Sequence, residues 1–262
     1  MTGTWDEALH PPEDSISQAM AHLEISTINC NAFLLDIDGV LCESQQPVSE
    51  AMRNALNRLV EYYPVYIVTG NSFTRAHDLL CDIEVDGIFC NNADEYRDFS
   101  GRLVWSEQII RPLPPQIENT LQTLLGSDNS HAGNRIAWRT PRMINFSKCG
   151  RFASKETRAS CDVSWREDTI KLIELIYPEV RAVIGGAVSI DIFMRGADKS
   201  RAGAYLTNFL NRHFIFIGDK TSPGGNDYPL KEYCIKYPEN LCLTSSGPEH
   251  TLELIDKITG GK

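Results

Sequence analysis

The chain has 262 residues, 42% of them apolar and 23% charged, with a formal net charge of −10. Such a length allows one large domain or two modest ones, each with a real core, and the composition excludes a disordered or fibrous chain. The acidic balance argues against a surface built to grip a nucleic-acid backbone.

Residues 1 to 28 carry adjacent prolines, Pro11 and Pro12, and acidic Asp6, Glu7, Glu13 and Asp14. They read as an N-terminal extension without chemistry and without the basic start of a secretory signal. From Ala32, the run Phe33-Leu34-Leu35-Asp36-Ile37 fits a buried strand, Gly39 a turn, and Ser49 through Tyr62 a helix that Pro64 stops. A second buried strand follows at Val65 to Val68, a helix from Thr74 to about Leu80, and a third strand at Gly87 to Cys90. This alternation implies a parallel sheet with helices on its faces.

The middle of the chain changes character. Tyr96 to Trp105 breaks at Ser100-Gly101 like a hairpin, and strand-like pieces recur at Arg135 to Trp138, Met143 to Phe146, Ala182 to Ile184 and Val188 to Phe193. Helical patterns near Pro115 to Leu125 and Ser164 to Ile176 lie between them. The first pattern then returns, with a helix near Lys199 to Asn211, a strand at Phe214 to Ile217 and a helix from Pro248 to Ile258. The division expected is a core of residues 29–92 and 194–262 interrupted by an α+β insert at 93–193. Residues 93 to 190 hold ten of the sixteen arginines and carry a net charge of +1, against −11 for the remainder. That local excess suits either a solvated surface or several guanidiniums converging on a small anion. The eight cysteines show no C-x-x-C spacing and read as reduced thiols. No apolar run approaches the ~20 residues that span a bilayer, so no membrane partner is expected and the cytoplasm is the expected location.

In open parallel sheets, ligands gather at the carboxyl ends of the strands. Four polar segments fall there: Asp36-Ile37-Asp38-Gly39, Thr69-Gly70-Asn71-Ser72, Asp198-Lys199, and Gly218-Asp219-Lys220 continuing to Gly224-Gly225-Asn226-Asp227. Asp36 and Asp38 are two apart at a strand end and point to the same side. Two such carboxylates need a shared cation or proton. With Asp219 and Asp227 from another strand end they suit Mg²⁺, which prefers a few carboxylates and leaves room for water and phosphate.

This ordered set resembles the haloacid-dehalogenase-like phosphotransferases. Gly218 through Asp227 is similar to the G-D-K-T-x-x-G-G-N-D stretch of the eukaryotic-type phosphomannomutases. Gly185 through Phe193, continuing to Gly196-Ala197-Asp198-Lys199, resembles that family's G-G-x-x-S-F-D-V-F-x-x-G-W-D-K. The likeness runs from about residue 31 to 260. It implies an α/β fold with a Rossmann-like parallel-sheet core and an inserted α+β cap domain of the C2B type.

The resemblance also implies roles. Asp36 would be the nucleophile that forms an aspartyl phosphate, and Asp38 the general acid and base. Mg²⁺ would be held by Asp36, the Asp38 backbone carbonyl, Asp219 and Asp227, while Thr69 and Lys199 would bind the transferring phosphoryl group. Met143-Ile144-Asn145-Phe146-Ser147 with Gly150-Arg151 matches the family's M-L-N-V-S-P-I-G-R. That match puts Arg151 and Arg158 on arginines gripping the non-reacting phosphate. A third falls on Arg139 or Arg142, with Arg139 preferred. Asn145 lies in the same matched stretch, and Ser189 and Asp191 fall on cap positions that contact the sugar or phosphate.

The implied activity interconverts hexose 6-phosphate and 1-phosphate, mannose being the expected sugar, through a hexose bisphosphate. The implied assembly is a homodimer through the cap. Val40, Gln45 and Pro229 depart from the family pattern, Gln45 standing where a phosphate-binding arginine is usual. These departures leave a Mg²⁺-dependent sugar-phosphate phosphatase open as an alternative, and a catalytically silent binding protein as an alternative of another class.

Overall fold

The computed structural model describes residues 30–44, 46–106, 111–126, 134–150 and 153–259. The chain enters through β1 (Ala32–Leu35), α1 (Glu50–Tyr62), β2 (Val65–Val68), α2 (Phe73–Leu80) and β3 (Gly87–Cys90). Ser49 caps α1 by accepting the Met52 N–H on its hydroxyl at 3.2 Å, and Pro64 lies beyond its end. Next come β4 (Glu95–Arg97), β5 (Leu103–Ser106), α3 (Gln116–Leu125), β6 (Ile136–Thr140), β7 (Met143–Phe146), α4 (Lys155–Ala159), α5 (Trp165–Ile176), β8 (Val180–Ile184) and β9 (Ile190–Met194). The last part runs through α6 (Ser200–Phe209), β10 (Phe214–Gly218), α7 (Tyr228–Lys236), β11 (Leu241–Thr244) and α8 (Pro248–Thr259). The sequence patterns did not mark α4, α7 or β11. Each is short, and α7 carries Pro229 in its first turn.

The first sheet has seven strands in the order β11-β10-β1-β2-β3-β4-β5, and β11 through β3 run parallel. Alternate residues of these strands feed two cores, as a sheet covered on both faces requires. Phe33, Leu35, Ile67 and Ile217 pack with Met52, Leu56, Leu79 and Ile255 of α1, α2 and α8. Leu34, Tyr66, Phe89 and Phe216 pack with Ala202, Leu206 and Leu230 of α6 and α7. The strand order reverses at β1, which lies between β10 and β2, and such a reversal opens a crevice at the strands' carboxyl ends.

The hairpin at Tyr96 to Trp105 corrects the sequence division. Assigned there to the insert, β4 and β5 instead extend this first sheet, β4 antiparallel to β3 and β5 antiparallel to β4. The pairing is fixed by aromatic packing: the Phe89 and Tyr96 rings stack with centroids 4.4 Å apart. The Tyr96 ring also lies where a Cβ on Gly87 would be, so only glycine fits there. The rest of the insert forms a separate four-stranded antiparallel sheet in the order β6-β7-β9-β8. Its core joins Ile117 and Leu121 of α3 and Ile173 of α5 to Ile144, Phe146, Ile190 and Ile192. No described helix is long and apolar enough to cross a membrane. Residues 1–28, Gln45 and Arg151 lie outside the described residues.

Candidate active site

The site begins where β1 and β10 run side by side. Leu35 pairs with Ile217, and the Asp36 N–H donates to the Ile217 carbonyl at 3.0 Å, so the loops after the two strands start at one level. Asp36 is buried, and its Oδ1 accepts the Ile37 N–H at 2.8 Å. Gly39 then turns the chain with φ +82°, and a Cβ there would run into the Asp219 carboxylate. The glycine of the first motif is thus required both by its left-handed backbone and by the acid from the neighbouring strand.

Lys199, at the start of α6, is fully buried between two acids, its Nζ 2.9 Å from Asp36 Oδ2 and 2.7 Å from Asp227 Oδ1. Asp227 Oδ2 accepts the Asp219 and Lys220 N–H groups at 3.1 and 3.0 Å, which ties the beginning of the G-D-K-T loop to its end. Lys220 Nζ sits 2.6 Å from Asp219 Oδ2. Burial would raise the Asp227 carboxyl, but Lys199 and the backbone donors hold it below the usual carboxylate range. Burial pushes Asp36 up to about 7; Lys199 opposes the rise, and Asp227 and Asp219 add to it. Burial also disfavours the Lys199 ammonium, yet Asp227 and Asp36 overcome it and hold the group above its ordinary range.

Asp36, Asp219 and Asp227 each offer an oxygen within 4.8 Å of the others. Among the described residues Asp219 Oδ1 is buried without a hydrogen-bond partner, and a bound cation would satisfy it. The donor set is all carboxylate oxygen, and it fits a hard divalent ion such as Mg²⁺.

Above these acids lies a cleft lined mainly by polar and charged side chains. The core contributes Asp36, Asp38 and Thr69, and the inserted region contributes Arg139, Asn145, Arg158, Ser189 and Asp191. Asn145 faces Asp191 across the β7–β9 ladder and donates to its Oδ1 at 2.8 Å. Burial raises the Asp191 carboxyl, with Asn145 and Arg139 pulling against it. Ser189 Oγ accepts the Gly186 N–H at 3.1 Å. The second sheet meets the loop after β10 beside the cleft, where the Ile184 N–H at the end of β8 donates to the Gly224 carbonyl at 3.1 Å.

Arg142 stands elsewhere. It does not line the cleft; its Nε donates to Asp94 Oδ1 at 2.7 Å in a nearly buried ion pair. Of the two arginines left open by spacing, Arg139 is therefore the one in the cleft. Asn71, Lys220 and Asn226 also line it, although sequence reasoning gave them no role. The letters were in the motifs, but nothing in the spacing says which loop residues turn inward.

Comparison with known proteins identifies the chain's relatives. The model of the eukaryotic phosphomannomutase family matches residues 118–259, and that of the haloacid dehalogenase-like hydrolases matches residues 33–111. A phosphomannomutase from Spinacia oleracea is 30% identical over 243 residues, covering 86% of this chain and 94% of that one. Among solved structures, the IMP-bound Plasmodium falciparum IMP-nucleotidase superposes with a TM-score of 0.64 at 14% identity, covering 95% of this chain and 74% of its own. The C-terminal domain of the C. albicans trehalose-6-phosphate phosphatase superposes with a TM-score of 0.63 at 13% identity, covering 88% and 93%. At such identities these structures speak to the fold alone, which is haloacid-dehalogenase-like.

Proposed function

Because this chain belongs to the eukaryotic phosphomannomutase family, we propose that it interconverts a hexose 6-phosphate and a hexose 1-phosphate, mannose being the expected sugar. The observation that carries this reading is that one cleft brings two cap arginines, Arg139 and Arg158, together with Asp36, beside which Lys199 is buried. A phosphatase needs one phosphate site and water, whereas a mutase must hold a second phosphate while the first reacts. Planar guanidiniums suit that holding task, because they bond phosphate oxygens in pairs.

In the forward half-reaction the phosphoryl group on Asp36 passes to a sugar hydroxyl. The bond from the Asp36 oxygen to phosphorus breaks as the hydroxyl oxygen bonds to it, and Asp38 takes the hydroxyl proton. The bisphosphate then turns end for end. Asp36 bonds to the other phosphorus, and the departing sugar oxygen receives the proton from Asp38. Thr69 and Lys199 bind the transferring group, Arg139, Arg151 and Arg158 the far phosphate, and Asn145, Ser189 and Asp191 the sugar. Asp36, Asp219, Asp227 and the Asp38 carbonyl would hold Mg²⁺, which would shield the anionic nucleophile from the anionic phosphate.

The test is incubation with mannose 1-phosphate, Mg²⁺ and a catalytic trace of hexose 1,6-bisphosphate. Formation of mannose 6-phosphate is expected, and Asp36→Asn should abolish it. Inorganic phosphate without isomer would replace the mutase reading with that of a sugar-phosphate phosphatase. Pairing of two copies through the cap is part of the same proposal, supported by Leu175 and Ile176 of α5, which are 77% and 47% exposed. Leu175→Glu should then sediment as a monomer where the wild type sediments as a dimer, and an unchanged mass would remove the support.

A further inference from the structure

The loop after β2 holds a side chain that reaches across to the first acidic loop. Asn71 is buried, and its Nδ2 donates to Asp38 Oδ2 at 2.7 Å and to Thr69 Oγ1 at 3.2 Å. Its backbone N–H donates to the same hydroxyl at 3.1 Å, so the Thr69–Asn71 turn is braced without help from the side chain. The amide's shorter bond is the one to Asp38, which lies 33 positions away in sequence.

Asn71 is itself anchored from behind. Its carbonyl accepts the Asn91 N–H at 2.9 Å, and Asn91, Asn92 and Ala93 are three consecutive left-handed residues with φ of 52°, 56° and 62°. Such a run is unfavourable for L-residues and persists only where its surroundings dictate it. Here the Asn92 N–H donates to the Thr69 carbonyl at 2.9 Å, locking the turn against the β2 loop. The base from which Asn71 reaches out is therefore rigid.

A general acid must come within hydrogen-bond reach of the oxygen it protonates, and a carboxyl group on a loop can rotate out of reach. We propose that Asn71 is a positioning residue that pins one oxygen of Asp38 and so fixes the aim of that carboxyl group in the cleft it lines. This rests on the proposed role of Asp38 as general acid and base. The proton still passes between Asp38 and the sugar oxygen as the phosphorus–oxygen bond breaks or forms. Asn71 neither gains nor loses one.

The leaving group provides the test. p-Nitrophenolate departs without a proton, whereas the alkoxide of a sugar does not, so an acid held off aim slows only the second. First-turnover rates are measured by rapid quench with excess protein and Mg²⁺ on p-nitrophenyl phosphate and on mannose 6-phosphate, following loss of the starting ester. Asn71→Ala should slow the sugar ester roughly 10- to 100-fold, below the full worth of a general acid. Cleavage of p-nitrophenyl phosphate should stay within about 3-fold of wild type, and half-saturation should be unchanged for both, because binding is not what Asn71 governs. Added to Asp38→Asn, the same change should cost no more than about 2-fold, since residues acting as one unit are not additive.

Asn71→Leu comes close to the same shape and removes the donor without adding a charge; it should reproduce the selective loss even where the alanine variant folds poorly. Equal loss on both esters, or full additivity with Asp38→Asn, would overturn the proposal. Free phosphate appearing in place of isomer would overturn the mutase reading alone, because either reaction must protonate the alkoxide. A wild-type protein inert toward both esters would sink the two together.

Discussion

Asp36→Asn replaces a buried carboxylate with an amide of the same shape, and the site geometry sets what this should do to stability. In the metal-free protein, burial pushes the Asp36 carboxyl up from 3.8 to about 7, against the pull of Lys199 and with the help of Asp227 and Asp219. A carboxyl raised in the folded state contributes stability that is fully present below the unfolded value and is lost as pH rises through the folded one. The window here runs from about pH 4 to pH 7, and at ~1.4 kcal/mol per unit the loss amounts to about 4 kcal/mol. The amide does not ionise, and Lys199 keeps Asp227 at 2.7 Å, so the variant leaves no cation without a partner. Measured in EDTA, the variant should therefore gain on the wild type as pH rises. At roughly 2–4 °C per kcal/mol for a chain of this size, a melting-temperature gap of about 10 °C should open between pH 4.5 and pH 8.5. Thermal melts by circular dichroism at four pH values would trace it. Adding Mg²⁺ at pH 8.5 should narrow the gap by stabilising the wild type more than the variant. A gap that does not change with pH, or a wild type more stable than the variant at pH 8.5, would refute the reasoning. Lys199 would then be neutralising Asp36 in full.

Lys199→Met should act in the opposite direction, because it leaves two acids facing each other in a dry pocket. Urea melts should show a loss of ~3–5 kcal/mol at pH 8.5 and a smaller one at pH 5.5, where those acids can take up protons; equal losses would contradict it. Arg139→Ala should raise KM for a hexose phosphate roughly 10- to 100-fold, the worth of a charge-assisted contact, with stability near that of wild type. Arg142→Ala should do the reverse, costing about 1–3 kcal/mol by removing the nearer of the two arginines on buried Asp94, Arg201 staying at 3.7 Å, while moving KM little. Gly39→Ala strains a left-handed turn and crowds Asp219, and calorimetric titration should find Mg²⁺ bound at least tenfold more weakly.

What could be read from the sequence was what depends on local period. Strand–helix alternation set out β1 to β3, and Asp36 and Asp38 are two apart at a strand end. Polar residues after buried strands fell on the cleft floor, because parallel strands bring their carboxyl ends to one level. The hairpin of β4 and β5 was visible as a hairpin, but its sheet was not. That choice rests on Tyr96 stacking on Phe89 and covering Gly87, contacts no local pattern encodes. The last αβ unit stayed hidden for another reason. Pro229 looks like a stop but sits in the first turn of α7, where a missing N–H costs nothing, and β11 has only four residues, none of them fully buried.

The pair Arg139 and Arg142 marks where such reading ends. Two arginines three apart in a hairpin would be assigned to faces by counting alternate residues from Met143, but the β6–β7 register shifts between Trp138 and Thr140. A bulge of that kind re-aims the side chain it displaces, and Arg139 is the residue displaced. Arg142 is drawn away by Asp94, 48 positions earlier in the chain, beyond the left-handed turn at Asn91 to Ala93. The same turn anchors Asn71 under Asp38. One piece of non-local backbone thus supports both the arginine that misses the cleft and the amide that holds the acid within it. Changes to that turn should disturb cap packing and proton transfer together, although none of its three residues meets the phosphate in the proposed mechanism.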